Sequence, residues 1–256
     1  DEWGRSERVR KIVRMLEQPY YDKWFRVEWE DLEKIPAEGG ALLIANHGGA
    51  IPSDAPMIMH GVEQELGRPV YGLADTFFRT IPVLGTAWSR SGGVPAHPDN
   101  AHRILHDNGQ LALVFPEGVK GPSKIVTERY QLRRFGRGGF VETAMRAGVP
   151  VVPIAVIGAE ESMPILRRFG GAAKALKVPY LPLTVNHLIF GPVLGSMLYL
   201  PAKFRLRVLD PVSFDVKPGL ERYPRGRIME EAEAIRHDLQ ENLFEMLAAR
   251  RSIWFG

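Results

Sequence analysis

Five short runs rich in apolar residues constrain this chain more than any other feature. They are ALLIA (41–45), VYGLA (70–74), LALVF (111–115), VVPIAV (151–156) and FRLRVL (204–209). Runs this short and this rich in apolar and β-branched residues read as buried parallel strands. Helical patterns at about 54–67, 99–108 and 138–147 lie between them, and this alternation predicts a mostly parallel sheet flanked by helices. A last helix over 225–250 sets Ile228, Ala232, Ile235, Leu239, Leu243 and Met246 on one stripe, which fits packing against the sheet. With 256 residues and no repeat or flexible linker, the chain reads as a single α/β domain. Residues 1–35 form an N-terminal amphipathic helical segment, 40–215 the α/β core and 225–250 the packing helix.

In open parallel sheets ligands bind beyond the carboxyl ends of the strands, where loops converge and helix N-termini point. Three predicted strands end in chemically distinctive loops: Asn46-His47-Gly48-Gly49, Ala74-Asp75-Thr76 and Phe115-Pro116-Glu117-Gly118. His47 follows a strand, and Asp54 opens the next helix. A carboxylate holding one imidazole nitrogen leaves the other free to take a proton, so the pair suits a general base. A turn histidine beside an ordinary helix cap is the plainer alternative. Backbone N–H groups at Gly48 and Gly49 are candidates for an oxyanion site. Thr76-Phe77-Phe78-Arg79 adds two aromatics beside the same edge, suited to core packing as well as to lipid.

The absence of cysteine excludes thiol nucleophiles, disulfides and thiolate zinc sites. No HExxH, Walker, GxGxxG or GxSxG pattern is present, so the usual signatures of metalloproteases, nucleotide hydrolases, dehydrogenases and serine hydrolases are missing. His97, His102 and His106 are close in sequence but lack a clear companion ligand, which favours a solvated face over a metal site. The formal charge of +3 is a mild basic bias, compatible with anionic membranes or phosphorylated substrates.

Two segments suit a membrane surface. Residues 178–202 carry no acid, lysine or arginine, yet four prolines interrupt any spanning helix. Such a stretch either packs in the core or presents apolar side chains to lipid. Near the N-terminus, Trp3, Val9, Ile12, Val13 and Leu16 stand among Arg5, Arg8, Arg10, Lys11 and Arg14, as in an interfacial helix with cations at the headgroups. The first residues lack the apolar core of a signal peptide. The expected location is therefore cytoplasmic, peripheral on the inner face of a membrane.

NHGGAIPSD, GLADTFFRTIPVLGTAWSRSGGVPA, FPEGVKG and GVPVVPIAVIGAEE, in that order over about 40–161, resemble the four motifs of the glycerolipid acyltransferases. PYLPLTVNHLIFGPVLG further resembles the branch containing monoacylglycerol and diacylglycerol acyltransferases. The resemblance implies a glycerol-phosphate-acyltransferase-like fold, with His47 as the base that deprotonates an acceptor hydroxyl and Asp54 as its partner. It implies that Glu117 and Gly118 belong to the acceptor site, with Glu117 binding hydroxyls or pairing with a cation such as Lys120. Acyl transfer would run from an acyl-thioester, acyl-CoA or acyl carrier protein, to a glycerolipid or lysophospholipid without a covalent acyl-enzyme. No cofactor and no nucleic acid enter this reading.

The sequence departs from the family pattern at named positions. Pro52 stands where the first motif usually has its aspartate, which here comes two residues later at Asp54. Lys120 replaces the usual arginine of the third motif. The second motif's arginine falls near His97, with Arg103 one helical turn beyond Asp99. Lysine is a point charge and arginine a planar fork, so the expected grip on phosphate weakens and acceptors lacking phosphate gain ground. Lys120 and Arg103 remain the candidate substrate-binding cations, ahead of Arg133, Arg134 and Arg137. The alternatives are a non-catalytic lipid-binding module and a lipid or thioester hydrolase in which water replaces the acceptor.

Overall fold

The computed structural model describes residues 1–256 except 75–83, 176–177 and 221. Asp75, Thr76, Phe77, Phe78 and Arg79, singled out above, lie outside the described residues. In chain order the strands are β1 (Glu28–Glu30), β2 (Ala41–Ala45), β3 (Val70–Ala74), β4 (Gly93–Pro95), β5 (Leu111–Val114), β6 (Val151–Ile157), β7 (Ile165–Arg168), β8 (Pro182–Thr184) and β9 (Arg205–Val208). The helices are α1 (Glu7–Pro19), α2 (Asp54–Leu66), α3 (Leu84–Arg90), α4 (Pro98–His102), α5 (Gly139–Ala147), α6 (Ala159–Ser162), α7 (Gly170–Ala175), α8 (Val185–Leu194) and α9 (Arg225–Ala249). The helix expected over 99–108 is α4 continued by a π-helical turn, Arg103–Asp107.

Seven strands form one sheet in the order β1-β9-β6-β2-β5-β3-β4, and β7 and β8 form a separate antiparallel pair. The sheet begins at residue 28, not 40, because β1 pairs in parallel with β9 and gives the sheet its edge. The period-2 alternation of β2 feeds two cores. Leu42 and Ile44 pack with α5 and α9 on one face, and Ala41, Leu43 and Ala45 with α2 and the Tyr21–Phe25 region on the other. The stripe of α9 is buried as its spacing predicts, with Leu239 and Leu243 fully inaccessible.

All ladders but one in this sheet are parallel. The 204–209 run, expected to be parallel like the rest, lies antiparallel to β6. Its approach explains the reversal. The connection from β6 through β7, α7, β8 and α8 stays at the carboxyl end of the sheet. Leu200 N–H donates to Ser162 O at 2.8 Å, Ala50 N–H to Met163 O at 3.0 Å, and Lys203 lies against the end of β6 at Gly158. A chain returning from the edge it left can only enter the sheet in the opposite direction. The excursion between residues 162 and 203 therefore sits beside the loops that follow β2 and β5.

The N-terminal segment divides its cations: Arg8 and Lys11 are exposed, whereas Arg5 and Arg10 are not. Arg10 is buried, its Nε donating to Glu63 Oε2 at 2.7 Å and its Nη1 to Glu17 Oε2 at 3.0 Å. Arg5 is also buried and reaches Glu63 Oε1 at 3.3 Å. Ile12, Met15 and Leu16 face outward. Two of the expected headgroup cations are thus rivets between α1 and α2.

Candidate active site

His47 stands two residues beyond the end of β2, and Asn46 fixes where it points. The Asn46 side chain extends the ladder to β6: Nδ2 donates to Val156 O at 2.9 Å, and Oδ1 accepts from Val156 N–H at 2.8 Å. The chain then turns through Gly48 and Gly49 and returns at α2. A Cβ on Gly48 would fall 2.2 Å from Glu160 Cγ, so only glycine lets this loop lie against the loop after β6.

The longer spacing to Asp54 closes completely. Both carboxylate oxygens of Asp54 lie 3.0 Å from His47 Nδ1. Oδ2 also accepts from Gly48 N–H at 2.9 Å and Oδ1 from Ala55 N–H at 2.8 Å. An ionised carboxylate can only accept, so Nδ1 carries the proton and Nε2 keeps its lone pair. Asp54 is fully buried, whereas the His47 side chain retains 15% exposure. Phe115 stacks on the imidazole at 3.9 Å between centroids with 20° between planes, fixing the ring. On the third side, a Cβ on Gly121 would sit 2.7 Å from His47 Cβ. The Gly48 N–H belongs to Asp54, which removes it from the expected oxyanion donors.

Glu117 follows β5 and is buried among donors. Its Oε1 accepts from His47 N–H at 3.1 Å and its Oε2 from Arg133 N–H at 2.8 Å, and its side chain has no exposed area. Its cation is Lys124, at 3.4 Å, not Lys120. Lys120 is exposed on the short 3₁₀ turn Gly118–Lys120, and Gly118 is exposed beside it. Glu117 thus works as a clamp tying the histidine loop to residues 124 and 133, with no oxygen facing solvent. Arg103 is turned to the N-terminal segment, paired with Glu2 and lying over the Trp3 ring at 5.0 Å. None of its described contacts joins it to His47 or Glu117. Arg133 pairs with Glu128 at 2.7 Å, and Arg134 and Arg137 are exposed. His106 Nδ1 lies 2.9 Å from Ala147 O, with its ring 4.9 Å from that of His102.

Three groups in the site's foundation went unassigned in the sequence reading. Lys124 is buried, with its ammonium 2.7 Å from Glu160 Oε1 as well as beside Glu117. Glu160 also accepts from Tyr130 N–H at 3.2 Å, and burial pushes its carboxyl up to about 7 although Lys124 pulls it down. The Tyr130 hydroxyl donates to Glu161 and accepts from Gly158 N–H at 2.8 Å; burial, then Glu161 and Glu160, push the phenol well above its ordinary range. The signal for these groups was an acidic pair placed directly after the most apolar strand, in GAEE. Water would solvate such carboxylates on a surface, but at the carboxyl edge of a buried sheet they require partners.

Beside this geometry stand the comparisons with known proteins. The family model described as Acyltransferase matches residues 26–157, which contain His47, Asp54, Glu117 and Lys124. The chain belongs to the acyltransferase family. An uncharacterised protein of Mycobacterium tuberculosis is 37% identical to this acyltransferase over 259 residues, covering 100% of this chain and 72% of the relative. The mouse protein called DGAT1/2-independent enzyme synthesizing storage lipids is 30% identical over 213 residues, covering 83% of this chain and 60% of the relative. In fold, the acyltransferase resembles the 1-acyl-sn-glycerophosphate (LPA) acyltransferase PlsC of Thermotoga maritima. The TM-score is 0.59 at 21% identity, covering 95% of this chain and 81% of that one.

Proposed function

We propose that this acyltransferase moves a fatty acyl group from an acyl-thioester, acyl-CoA or acyl carrier protein, to the hydroxyl of a glycerolipid or lysophospholipid, with His47 as general base and Asp54 as its orienting partner. The observation that carries the proposal is the His47–Asp54 contact, which commits Nδ1 and leaves Nε2 on a partly exposed ring. Nε2 takes the acceptor's hydroxyl proton as that oxygen attacks the thioester carbonyl. The carbon–sulfur bond then breaks, and the proton passes to the departing thiolate. Proton transfer of this kind contributes ~10²–10⁴-fold. Acceptors without phosphate are preferred in this reading, supported by the exposed Lys120, the Arg103–Glu2 pair and the storage-lipid name of the mouse relative. The reaction takes place on the cytoplasmic face of a membrane, with the protein bound peripherally. In support of a membrane contact, several large apolar side chains are exposed.

The test is thiol release from acyl-CoA across acceptors with and without phosphate, for the parent and for His47→Ala. Acceptor-dependent release that falls at least ~10²-fold in the variant supports the base. Undiminished release overturns it, and acyl-CoA breakdown indifferent to any added alcohol replaces transfer with hydrolysis.

A further inference from the structure

The helix α8 is built backwards for a protein in water. In α8 the single buried residue is Asn186, whose Nδ2 donates to Ser162 O at 3.1 Å and to Leu198 O at 2.7 Å. The apolar side chains point away from the protein. Leu188 is 68% exposed, Val193 70% and Met197 67%, with Ile189 and Leu194 also open. A helix whose outer surface is mostly apolar, with His187 engaged by Ser196 at 2.9 Å and its buried Asn186 turned to its own protein, is matched to a nonaqueous neighbour. The kink at Gly191 folds the segment back on itself, so these residues form a blunt apolar tip.

Two further observations identify that neighbour. From Ser162 to Leu209 the chain has no aspartate or glutamate, while Arg167, Arg168 and Lys174 are exposed on β7 and α7 in the same excursion. Arg168 also reaches Glu128 at 3.4 Å, so the charge of the excursion itself is cationic with one carboxylate from outside it at Arg168. An apolar tip on a segment whose own charges are all cations complements an anionic bilayer, with the tip in the acyl region and the cations at the headgroups. The excursion is also joined to the loop carrying the histidine. Tyr180 OH donates to Ala50 O at 2.7 Å, and Ser53 Oγ lies 3.2 Å from Ser162 Oγ. At its far end Trp24 Nε1 donates to Tyr199 O at 3.1 Å, linking the excursion to the segment that follows α1.

We infer that the α8 tip is the part of the molecule that enters an anionic lipid bilayer, with Arg167 and Arg168 contacting its headgroups. The inference rests on the reading of the enzyme as peripheral and places its membrane contact beside the His47 loop. Lipid substrates then arrive at the catalytic loop from the bilayer the tip occupies.

Flotation of the full chain with vesicles of phosphatidylcholine, with and without phosphatidylglycerol, tests this without requiring turnover. Leu188→Glu combined with Val193→Glu, both at open positions, is expected to lower vesicle binding by more than about tenfold. Arg167→Glu combined with Arg168→Glu is expected to lose about fivefold per cation on phosphatidylglycerol vesicles only. Phe244→Glu, at a half-exposed position on α9, should float like the parent. Unchanged flotation of the Leu188/Val193 variant overturns the inference. So does a variant that floats normally but loses self-association in sedimentation, which would make the tip an interface between copies. Parent-like flotation of His47→Ala, whatever its turnover, separates failure of the tip from failure of the acyl-transfer reading.

Discussion

Two clusters of buried charge hold this molecule together, and they differ in balance. Between α1 and α2, Arg5 and Arg10 face Glu63 and Glu17, two cations against two acids. Beneath the histidine loop, Lys124 alone faces Glu117 and Glu160. The balanced cluster fastens a helix. In the unbalanced one, burial above all, with a smaller push from Glu117, raises the Glu160 carboxyl to about 7 against the pull of Lys124, so the scaffold beneath His47 responds to pH near neutrality. A buried ion pair is weak evidence for net stability, yet removing one partner strands a charge out of water. The contrast can therefore be measured.

The largest effect is expected from Arg10→Met, which leaves the buried Glu63 and the partly buried Glu17 without their main cation. Denaturant unfolding should show a loss of about 3–5 kcal/mol. A loss below 1 kcal/mol would show that α1 is not fastened by this cluster. Lys124→Met should cost about 3 kcal/mol at neutral pH and less in acid, where Glu160 takes up a proton in place of its lost partner. A cost that does not change with pH would contradict the unbalanced charge described here.

Glu160→Gln isolates the titration. Between the ordinary carboxyl value of 4.5 and about 7, the folded protein keeps a proton that the unfolded chain has released. Stability from this group therefore falls as pH rises through that window, by at most ~1.4 kcal/mol per pH unit. The glutamine variant should lack this slope, and parallel stability curves for parent and variant would refute the raised carboxyl. The smallest effect belongs to Leu16→Gln on the outward face of α1. It should leave unfolding within about 0.5 kcal/mol, because Leu16 is 68% exposed and its loss opens no cavity.

Much of the site could be read from the sequence. The positions of His47 and Glu117 just past strand ends follow from where the apolar runs stop, since a buried parallel strand must deliver its first polar residues to the carboxyl edge, and Asp54 opens the helix that follows. The partner of Glu117 was not legible in the same way. Lys120 and Lys124 are both within reach in sequence, and the 3₁₀ turn that carries Lys120 decides that the nearer one faces solvent. Arg103 lies on the expected turn, but Glu2 and Trp3, about a hundred residues earlier, determine where its guanidinium goes.

The sequence by itself determined the strands, the helix stripes and the residue types available for acid–base chemistry, because periodicity and run length are local properties of the chain. Tertiary structure decided which way β9 runs, which face of α1 is buried, and that Asp54 reaches His47 despite Pro52. Each of these depends on a partner distant in the chain: the edge from which β9 returns, the Glu63 carboxylate that makes Arg10 an interior residue, and the packing of Gly48 against Glu160. A local pattern shows that a helix has two faces, and only the assembled charges and surfaces select the one that meets the protein.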